Sequence, residues 1–519
     1  EVFQVPDYLR KLVDKGWTGQ KAGKGFYEKT DEGILCLRFD EFEYEMKDKS
    51  EFDSLENAEG SPAERVKAVV VDGDDVAAEF AREVTLESLA YTARRMGEIA
   101  DDVVNIDRGL RWGFNWDLGP FQVWDAIGLK WGIEQMKERD IEVPGWVESM
   151  VEKGAESFYQ QEGATETYWD VDAEEYLEVP TDERDIQIDL LDEREKKVFG
   201  NDGATLYDMD DGVALLEFHT KRNSIDTDII DMMERSIDEV ESKDRWKGLV
   251  IGNNADNFSV GANIMLIMMN ARQQKWEPIE QMVSKFQQVN QRLRYSSVPV
   301  VTAPHGQTLG GGAEVTMAGN AIQAAGETYM GLVEVGVGLI PGGSGNLQLL
   351  RNLFGPHAED EDVDALPFIK QAFMQIGMGE VAKSAEEARE AGFLTETDRV
   401  TLNGDHILDL AKQRVIGMAN SDFKPPRQTK FRLPGADGIA TVDMQLYGME
   451  QSGYISEYDR HIGNKLAGVL CGGETSSKAL VSEEKLLELE REAFLSLCGE
   501  EKTLERITHM LQEGKPLRN

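Results

Sequence analysis

Three short apolar runs, each followed by a glycine-rich turn, constrain the fold of this chain most strongly. Each run has the length and composition of a short buried strand, and the runs lie in KGLVIGN (247–253), VPVVTAP (298–304) and AIQAAG (321–326). Before them, TLYDMDDGVALLEFH (205–219) predicts a hairpin, and residues 225–243 have the period of an amphipathic helix. Strands that alternate with helices predict an α/β unit.

Charge and composition exclude several classes of partner. The 519 residues include 55 Lys and Arg against 97 Asp and Glu, a net charge of −42, so we expect no nucleic-acid or anionic-membrane binding. No apolar run reaches 18 residues, and no basic-then-apolar leader is present. Three scattered cysteines, Cys36, Cys471 and Cys498, are too few for a disulfide framework or a metal site. We therefore expect a cytoplasmic protein without a bound metal.

The acidity itself has two interpretations. The acidic residues are interleaved with apolar residues along most of the chain, which favours a folded protein with a carboxylate surface over a disordered one. Such a surface repels itself unless salt screens it. The chain is therefore either an ordinary, very soluble protein or a halophilic, haloarchaeal-like protein that folds in concentrated salt.

The turns carry the chemistry, and their order resembles a known family. They read NFSVGANI (257–264), HGQTLGGGAEV (305–315) and GLVEVGVGLIPGGSGN (331–346), with KRNSID (221–226) upstream. Together these motifs resemble the crotonase (enoyl-CoA hydratase/isomerase) superfamily. The resemblance implies an α/β crotonase (ClpP/crotonase-like) domain over residues 191–420, followed by a C-terminal helical region, 421–519, that serves core closure or homo-oligomer contacts.

The N-terminal part resembles a second family. LVDKGWTGQKAGKGFYE (12–28) and residues 98–128 resemble the helical substrate domain of 3-hydroxyacyl-CoA dehydrogenases. The pair of resemblances implies a bifunctional 3-hydroxyacyl-CoA dehydrogenase/enoyl-CoA hydratase fusion. Residues 1–190 would then be an incomplete all-α domain of the 6-phosphogluconate-dehydrogenase-like C-terminal type. No GxGxxG follows a strand, so we expect an N-terminally truncated chain that lacks the Rossmann domain, with NAD a cofactor only of the full-length form.

The resemblance assigns site residues one by one. It implies an oxyanion hole formed by the backbone N–H groups of Ala262 and Gly311, and two catalytic glutamates, Glu314 and Glu334. Substrate-binding positions are expected at Asn263, Gly310 and Gly312. Both glutamates stand in apolar surroundings, where a carboxyl is unfavourable unless it is paired or functional.

Four further expectations concern packing. Residues 40–75 are predicted to be a long solvated connection, and the dense aromatics of residues 98–128 are expected in a core. These aromatics are Trp112, Phe114, Trp116, Phe121 and Trp124. His305 is interpreted as structural rather than ligand-binding, and a helix is expected after Ser482 as its N-cap.

The expected function is fatty-acid β-oxidation chemistry on coenzyme A thioesters. The two glutamates would add water reversibly to a 2-enoyl-CoA. Two alternatives remain open at this point: an enoyl-CoA isomerase, which needs only one carboxyl, and a non-catalytic acyl-CoA-binding module.

Overall fold

The computed structural model describes residues 5–31, 33–46, 51–163 and 165–519. The chain divides into two compact units, Glu1–Pro180 and Thr181–Asn519. Among the residues just given, no helix is long and apolar enough to cross a membrane.

The first unit is mostly helical, as expected, and it adds two three-stranded antiparallel sheets that the sequence analysis did not anticipate. Its helices are α1 Asp7–Asp14, α2 Asp53–Glu56, α3 Pro62–Lys67, α4 Val76–Arg94, α5 Val103–Phe114, α6 Pro120–Ile127, α7 Leu129–Glu138 and α8 Gly145–Glu152. Its strands are β1 Tyr27–Thr30, β2 Gly33–Leu37, β3 Tyr44–Met46, β4 Tyr159–Glu162, β5 Thr165–Asp170 and β6 Glu175–Glu178.

Residues 40–75 are not simply a solvated connection, so that expectation was wrong for most of the described part. Helices α2 and α3 lie within it, and a π-helical turn spans Ala68–Asp72. Ser61 caps α3 by accepting the N–H of Glu64, whose carboxylate accepts the Ser61 N–H in return. This reciprocal cap satisfies two end groups of a short helix and stabilises it despite the acidic sequence.

The aromatic cluster of residues 98–128 is only partly core. Phe121 and Trp124, on α6, are fully buried, but Trp112, Phe114 and Trp116 are 69%, 67% and 53% exposed. Helix α5 buries its opposite face, and it ends at Asn115 in the left-handed conformation. The expectation failed for these three residues because aromatic density does not reveal which helix face meets the core.

The second unit contains the predicted α/β fold. Its helices are α9 Ile188–Glu193, α10 Thr227–Ser242, α11 Ile264–Arg272, α12 Trp276–Arg294, α13 Gly311–Ala318, α14 Gly345–Phe354, α15 Leu366–Gly377, α16 Ala385–Glu390, α17 Ile407–Ala419, α18 Ala436–Gln451, α19 Glu457–Leu470, α20 Glu483–Cys498 and α21 Glu501–Glu513. Its strands are β7 Lys197–Gly200, β8 Ala204–Asp208, β9 Val213–Phe218, β10 Gly248–Ile251, β11 Val300–Thr302, β12 Gly306–Leu309, β13 Ala321–Ala325, β14 Thr328–Gly331, β15 Arg399–Thr401, β16 Lys430–Leu433 and β17 Ala479–Ser482.

A seven-stranded sheet in the order β15-β13-β11-β10-β9-β8-β7 forms the centre of this unit. Strands β9, β10, β11, β13 and β15 are parallel, and the predicted hairpin adds β8 antiparallel to β9. Strands β12 and β14 form a second, two-stranded parallel sheet. Because β12 and β14 run in the same direction, the glycine-rich turns after them begin at the same edge of this small sheet.

The C-terminal helices share one apolar core with the α/β part. Phe373 of α15, Leu446 of α18 and Phe494 of α20 belong to a single cluster of buried side chains. Ser482 caps α20 by accepting the Lys485 N–H, as predicted. Residues 421–519 therefore help to enclose the site described next.

Candidate active site

The three glycine-rich turns lie against one another. Ser259 pairs with Thr308 in an isolated parallel bridge, in which the Leu309 N–H donates to the Ser259 carbonyl at 2.9 Å. The Gly310 N–H donates to the carbonyl of Gly331, at the end of β14, at 2.8 Å. The backbone itself thus joins segments that are more than 70 residues apart into one site.

Two backbone N–H groups are available at this junction. Ile225 donates its N–H to the Gly261 carbonyl and accepts the Asn263 N–H, so the N–H of Ala262 between them faces away from Ile225. Gly311 begins α13, and a Cβ placed on it would lie 3.3 Å from the Ala262 nitrogen. Within the described parts of the chain, neither the Ala262 nor the Gly311 N–H donates to another group. Two neighbouring free donors can hold a developing oxyanion.

The other predicted substrate-binding positions differ in what they contact. Asn263 and Gly310 line the same cavity as Ala262 and Gly311. A Cβ on Gly312, by contrast, would lie 2.6 Å from the Ser259 carbonyl oxygen, so this glycine permits close packing of the two turns. Gly312 is outside the cavity lining.

Glu314 projects from the first turn of α13 and is buried. Its Oε1 accepts the N–H groups of Gly343 at 2.8 Å and Gly345 at 2.6 Å. Burial and the nearby carboxyls of Glu334 and Glu490 raise the pKa of Glu314 well above its ordinary value, against the two N–H donors, which lower it. The side chain is held in one orientation at the cavity wall.

Glu334 stands at the start of a 3₁₀ turn, Glu334–Val337, on the same cavity. Its Oε1 is 2.9 Å from the point where a Gly310 Cβ would lie, and its Oε2 is buried without a partner among the residues described. Burial raises the pKa of Glu334 to about 7. The bond from its own backbone N–H lowers this pKa but does not offset the burial, so the carboxyl keeps its proton to a higher pH than an exposed one.

A third buried glutamate, Glu490 on α20, was not found by the sequence analysis. Its two oxygens accept four N–H bonds, from Gln287 Nε2, Ser344 N, Asn346 N and Asn346 Nδ2, at 2.6–3.1 Å. Burial raises the pKa of Glu490 to about 7. A sequence signal existed, because Glu490 falls on the apolar stripe of α20 with Leu486, Ala493 and Leu497, where a carboxyl is unusual.

The cavity has a volume of about 1040 Å³. Beyond the glutamates its walls are mostly apolar, and the apolar side chains are supplied by α12, α15, α18, α19 and α21; examples are Phe286, Phe373, Leu446, Leu466 and Met510. Met265 of α11 also lines the cavity. A polar end with two N–H donors and two carboxyls, continued by an apolar chamber, suits a thioester that carries an acyl chain.

His305 contacts the backbone of a neighbouring turn rather than the cavity. Its Nε2 lies 2.7 Å from the Ala255 carbonyl, and the residue is absent from the cavity lining. Over the described ranges, no group of three or more His, Cys, Asp or Glu side chains has the arrangement of a metal site.

Comparison with known proteins shows similarity to one protein family. Residues 212–357 match the family model described as Enoyl-CoA hydratase/isomerase. The second unit therefore has the expected crotonase-like fold, with mostly helical flanking regions. A solved enoyl-CoA hydratase from Bacillus halodurans is 12% identical, with a TM-score of 0.41 over 59% of this chain and 98% of that chain.

Similarity to two curated proteins extends beyond residues 212–357. The chain is 42% identical to the "Probable 3-hydroxyacyl-CoA dehydrogenase" of Bacillus subtilis (strain 168), over 100% of this chain and 65% of that protein. It is 23% identical to the "Putative fatty acid oxidation complex trifunctional enzyme" of Rickettsia prowazekii (strain Madrid E), over 84% of this chain and 54% of that protein. The chain thus spans less than two thirds of the length of each.

Proposed function

We propose that this chain hydrates 2-enoyl-CoA thioesters reversibly to 3-hydroxyacyl-CoA thioesters, as one step of fatty acid oxidation. The observation that carries the proposal is the juxtaposition of two free backbone donors, on Ala262 and Gly311, with two buried carboxyls in the lining of one mostly apolar cavity. The family match over residues 212–357 and the names of the two relatives support the same reaction class.

The thioester carbonyl oxygen would bind between the Ala262 and Gly311 N–H groups. Charge builds on this oxygen when water adds to C3, because the electrons of the double bond move toward the carbonyl. Gly311 is also the first residue of α13, whose N-terminal dipole favours negative charge there. In other enzymes, removal of one such donor costs about 3–4 kcal/mol of transition-state stabilisation.

The two glutamates would divide the proton transfers. Burial raises the pKa of both carboxyls, and Glu334 raises that of Glu314 further, so the pair retains a proton near neutral pH. Although burial and Glu334 raise the pKa of Glu314, we assign the carboxylate to Glu314, because two N–H groups donate to its Oε1. The proton is then on Glu334, whose Oε2 has no donor among the described residues. Glu314 would then take a proton from water as the water oxygen bonds to C3, and Glu334 would protonate C2.

The product would be a substrate for a 3-hydroxyacyl-CoA dehydrogenase, the activity named for the Bacillus subtilis relative. Such an enzyme uses NAD, which dinucleotide-binding folds hold at the carboxyl edge of a parallel sheet. Both sheets of the first unit, as far as its residues are described, are antiparallel. The described residues of the first unit therefore offer no such edge for NAD, and we assign no oxidation step to them.

The test is the loss of crotonyl-CoA absorbance on mixing with the protein in molar KCl, for the wild type and for Glu314→Gln and Glu334→Gln. Each substitution keeps the size of the side chain and removes one acid/base group, so we expect kcat to fall by about 10²–10⁴. Glu217→Gln is the matched control, because burial raises the pKa of Glu217 to about 7 as well, but Glu217 is outside the cavity. This control should keep wild-type kcat.

The other candidate functions predict different results for the same set of proteins. An isomerase would convert a 3-enoyl-CoA to the 2-enoyl isomer and would survive one of the two substitutions. A non-catalytic binding module would bind crotonyl-CoA and turn over neither substrate. Either result would contradict hydration as the function of this site.

A further inference from the structure

Glu314 and Glu490 share one loop of backbone donors. Residues 343–346 present four successive N–H groups, and these alternate between the two carboxylates. Gly343 and Gly345 donate to Glu314 Oε1, whereas Ser344 donates to Glu490 Oε1 and Asn346 to Glu490 Oε2. The loop therefore cannot move relative to one glutamate without disturbing the other.

Other contacts fix Glu490 on the far side of this loop. Its oxygens also accept the side-chain amides of Gln287, on α12, and Asn346. Glu490 is fully buried, on α20. Four N–H donors match the acceptor capacity of an ionised carboxylate, so the group is a rigid anchor rather than a mobile side chain.

The loop needs an anchor because its backbone is strained. Ser344 is fully buried and has φ +95°, a conformation that residues with a side chain rarely adopt. Such strain persists only where the surroundings over-determine it. The Ser344 N–H donates to Glu490 at 2.6 Å, and this bond ties the strained residue to α20.

We propose that Glu490 is a positioning residue for the hydration reaction: it fixes residues 343–346 so that the Gly343 and Gly345 N–H groups orient Glu314. Glu490 itself is outside the cavity lining, so it touches no substrate. The proposal rests on the function proposed above. It also means that the C-terminal region, through α20, contributes to the catalytic site of the α/β part.

The test compares Glu490→Gln with Glu483→Gln on the same helix. The glutamine keeps the shape of the side chain, but it replaces one acceptor oxygen by an amide group that opposes the N–H donors. Because displacement of a reacting group by about 1 Å can cost 10²-fold, we expect kcat to fall by about 10- to 100-fold, with KM within about threefold. Glu483 is also buried and pairs with Arg351 at 3.0 Å, but it makes no contact with the loop, so Glu483→Gln should keep kcat within about threefold.

A double-mutant cycle separates positioning from general stability. If Glu490 acts through Glu314, then Glu490→Gln should reduce kcat little further in the Glu314→Gln protein. Additive losses, an unchanged kcat in Glu490→Gln, or an equal loss in Glu483→Gln would each overturn the proposal. If Glu490→Gln does not fold, Asn346→Ala removes one donor of Glu490 and should give a smaller loss with the same non-additivity.

Failure of the two proposals can be told apart. A wild-type protein that does not hydrate crotonyl-CoA would overturn the proposed function and, with it, the role of Glu490. Hydration that depends on Glu314 but falls additively in the double variant would overturn the role of Glu490 alone.

Discussion

A Cβ on Gly310 would lie 2.9 Å from Oε1 of Glu334. Gly310 has φ +52° and ψ −120°, a backbone conformation open to glycine but strained for other residues. The glycine that precedes α13 therefore allows the turn to form and leaves room for a carboxyl directly beside the two backbone donors.

The first prediction concerns Gly310→Ala. We expect a loss of stability of about 1–2 kcal/mol from the strained backbone and a fall in kcat of about 100-fold from displacement of Glu334. Urea unfolding and the crotonyl-CoA assay measure the two effects. Gly448→Ala is the control, because a Cβ there meets nothing within 4 Å on α18; it should stabilise the protein by about 0.5–1 kcal/mol and keep wild-type kcat. Wild-type activity in Gly310→Ala would contradict the close approach.

The second prediction is a pH dependence of stability. Burial raises the pKa of Glu490 to about 7, above the unfolded value near 4.5, so the folded state binds more protons than the unfolded state between these values. The protonated Glu490 thus stabilises the folded state fully below about pH 4.5, and this stabilisation is lost as the pH rises through 7. Glu490→Gln removes this titration, so the free energy of unfolding of the variant should fall less steeply with pH than that of the wild type. The two slopes should differ by up to about 1.4 kcal/mol per pH unit.

A difference measurement is needed because other carboxyls titrate in the same window. Burial raises the pKa of Asp107 to about 6 and that of Asp125 to about 7, and both act in the same direction. Chemical unfolding of the wild type and Glu490→Gln at pH 5 and pH 7.5 cancels these contributions. Parallel pH profiles for the two proteins would contradict the raised pKa of Glu490.

The sequence was sufficient for the parts of the fold that depend on local pattern. Strands β10, β11 and β13, the hairpin β8–β9 and helix α10 all lie where apolar period and turn residues predicted them. Helix α13 begins directly after Gly310. These features depend on short-range chemistry that can be read along the chain.

The sequence was insufficient where long-range packing decides. Glu490 lies 176 positions after Glu314, and no local pattern indicates that α20 meets the 343–346 loop. Trp112 and Trp124 belong to the same aromatic segment, yet only Trp124 is buried. The roles predicted for Glu314, Glu334, Ala262 and Gly311 remain predictions until the variants are measured.

The third prediction tests the packing of the first unit. Trp124 is fully buried against Phe158, so Trp124→Ala should destabilise this unit by about 3–5 kcal/mol. Trp112 is 69% exposed, and Trp112→Ala should change stability by less than about 0.5 kcal/mol. Both are measured by urea unfolding followed by circular dichroism. Equal effects of the two substitutions would contradict the burial difference.

The fourth prediction concerns salt. With a net charge of −42, exposed carboxylates repel one another, and this repulsion is screened when the Debye length falls from about 10 Å at 0.1 M salt to about 3 Å at 1 M. We expect Tm to rise between 0.1 M and 1 M KCl by more than in a sucrose solution of equal osmolality. A Tm that does not rise in KCl would contradict the halophilic interpretation and leave that of a very soluble protein.

The last prediction concerns the acyl chain. Gly377 lines the apolar chamber at the end of α15, and a Cβ there would make only ordinary contacts, at 3.5 Å with Phe373 and 3.9 Å with Leu466. Gly377→Leu should therefore fold and fill part of the chamber. Since hydrophobic pockets discriminate by about 1–3 kcal/mol for each methylene that no longer fits, kcat/KM for a long-chain 2-enoyl-CoA should fall by at least about tenfold relative to crotonyl-CoA.

Gly417→Leu is the matched control for this substitution, because Gly417 is an exposed glycine of α17 outside the cavity, and a Cβ there meets nothing within 4 Å. It should leave the ratio of the two kcat/KM values unchanged. A Gly377→Leu protein that also keeps the wild-type ratio would mean that the acyl chain does not enter between α15 and α19, and that the chamber is not the site of chain-length selection.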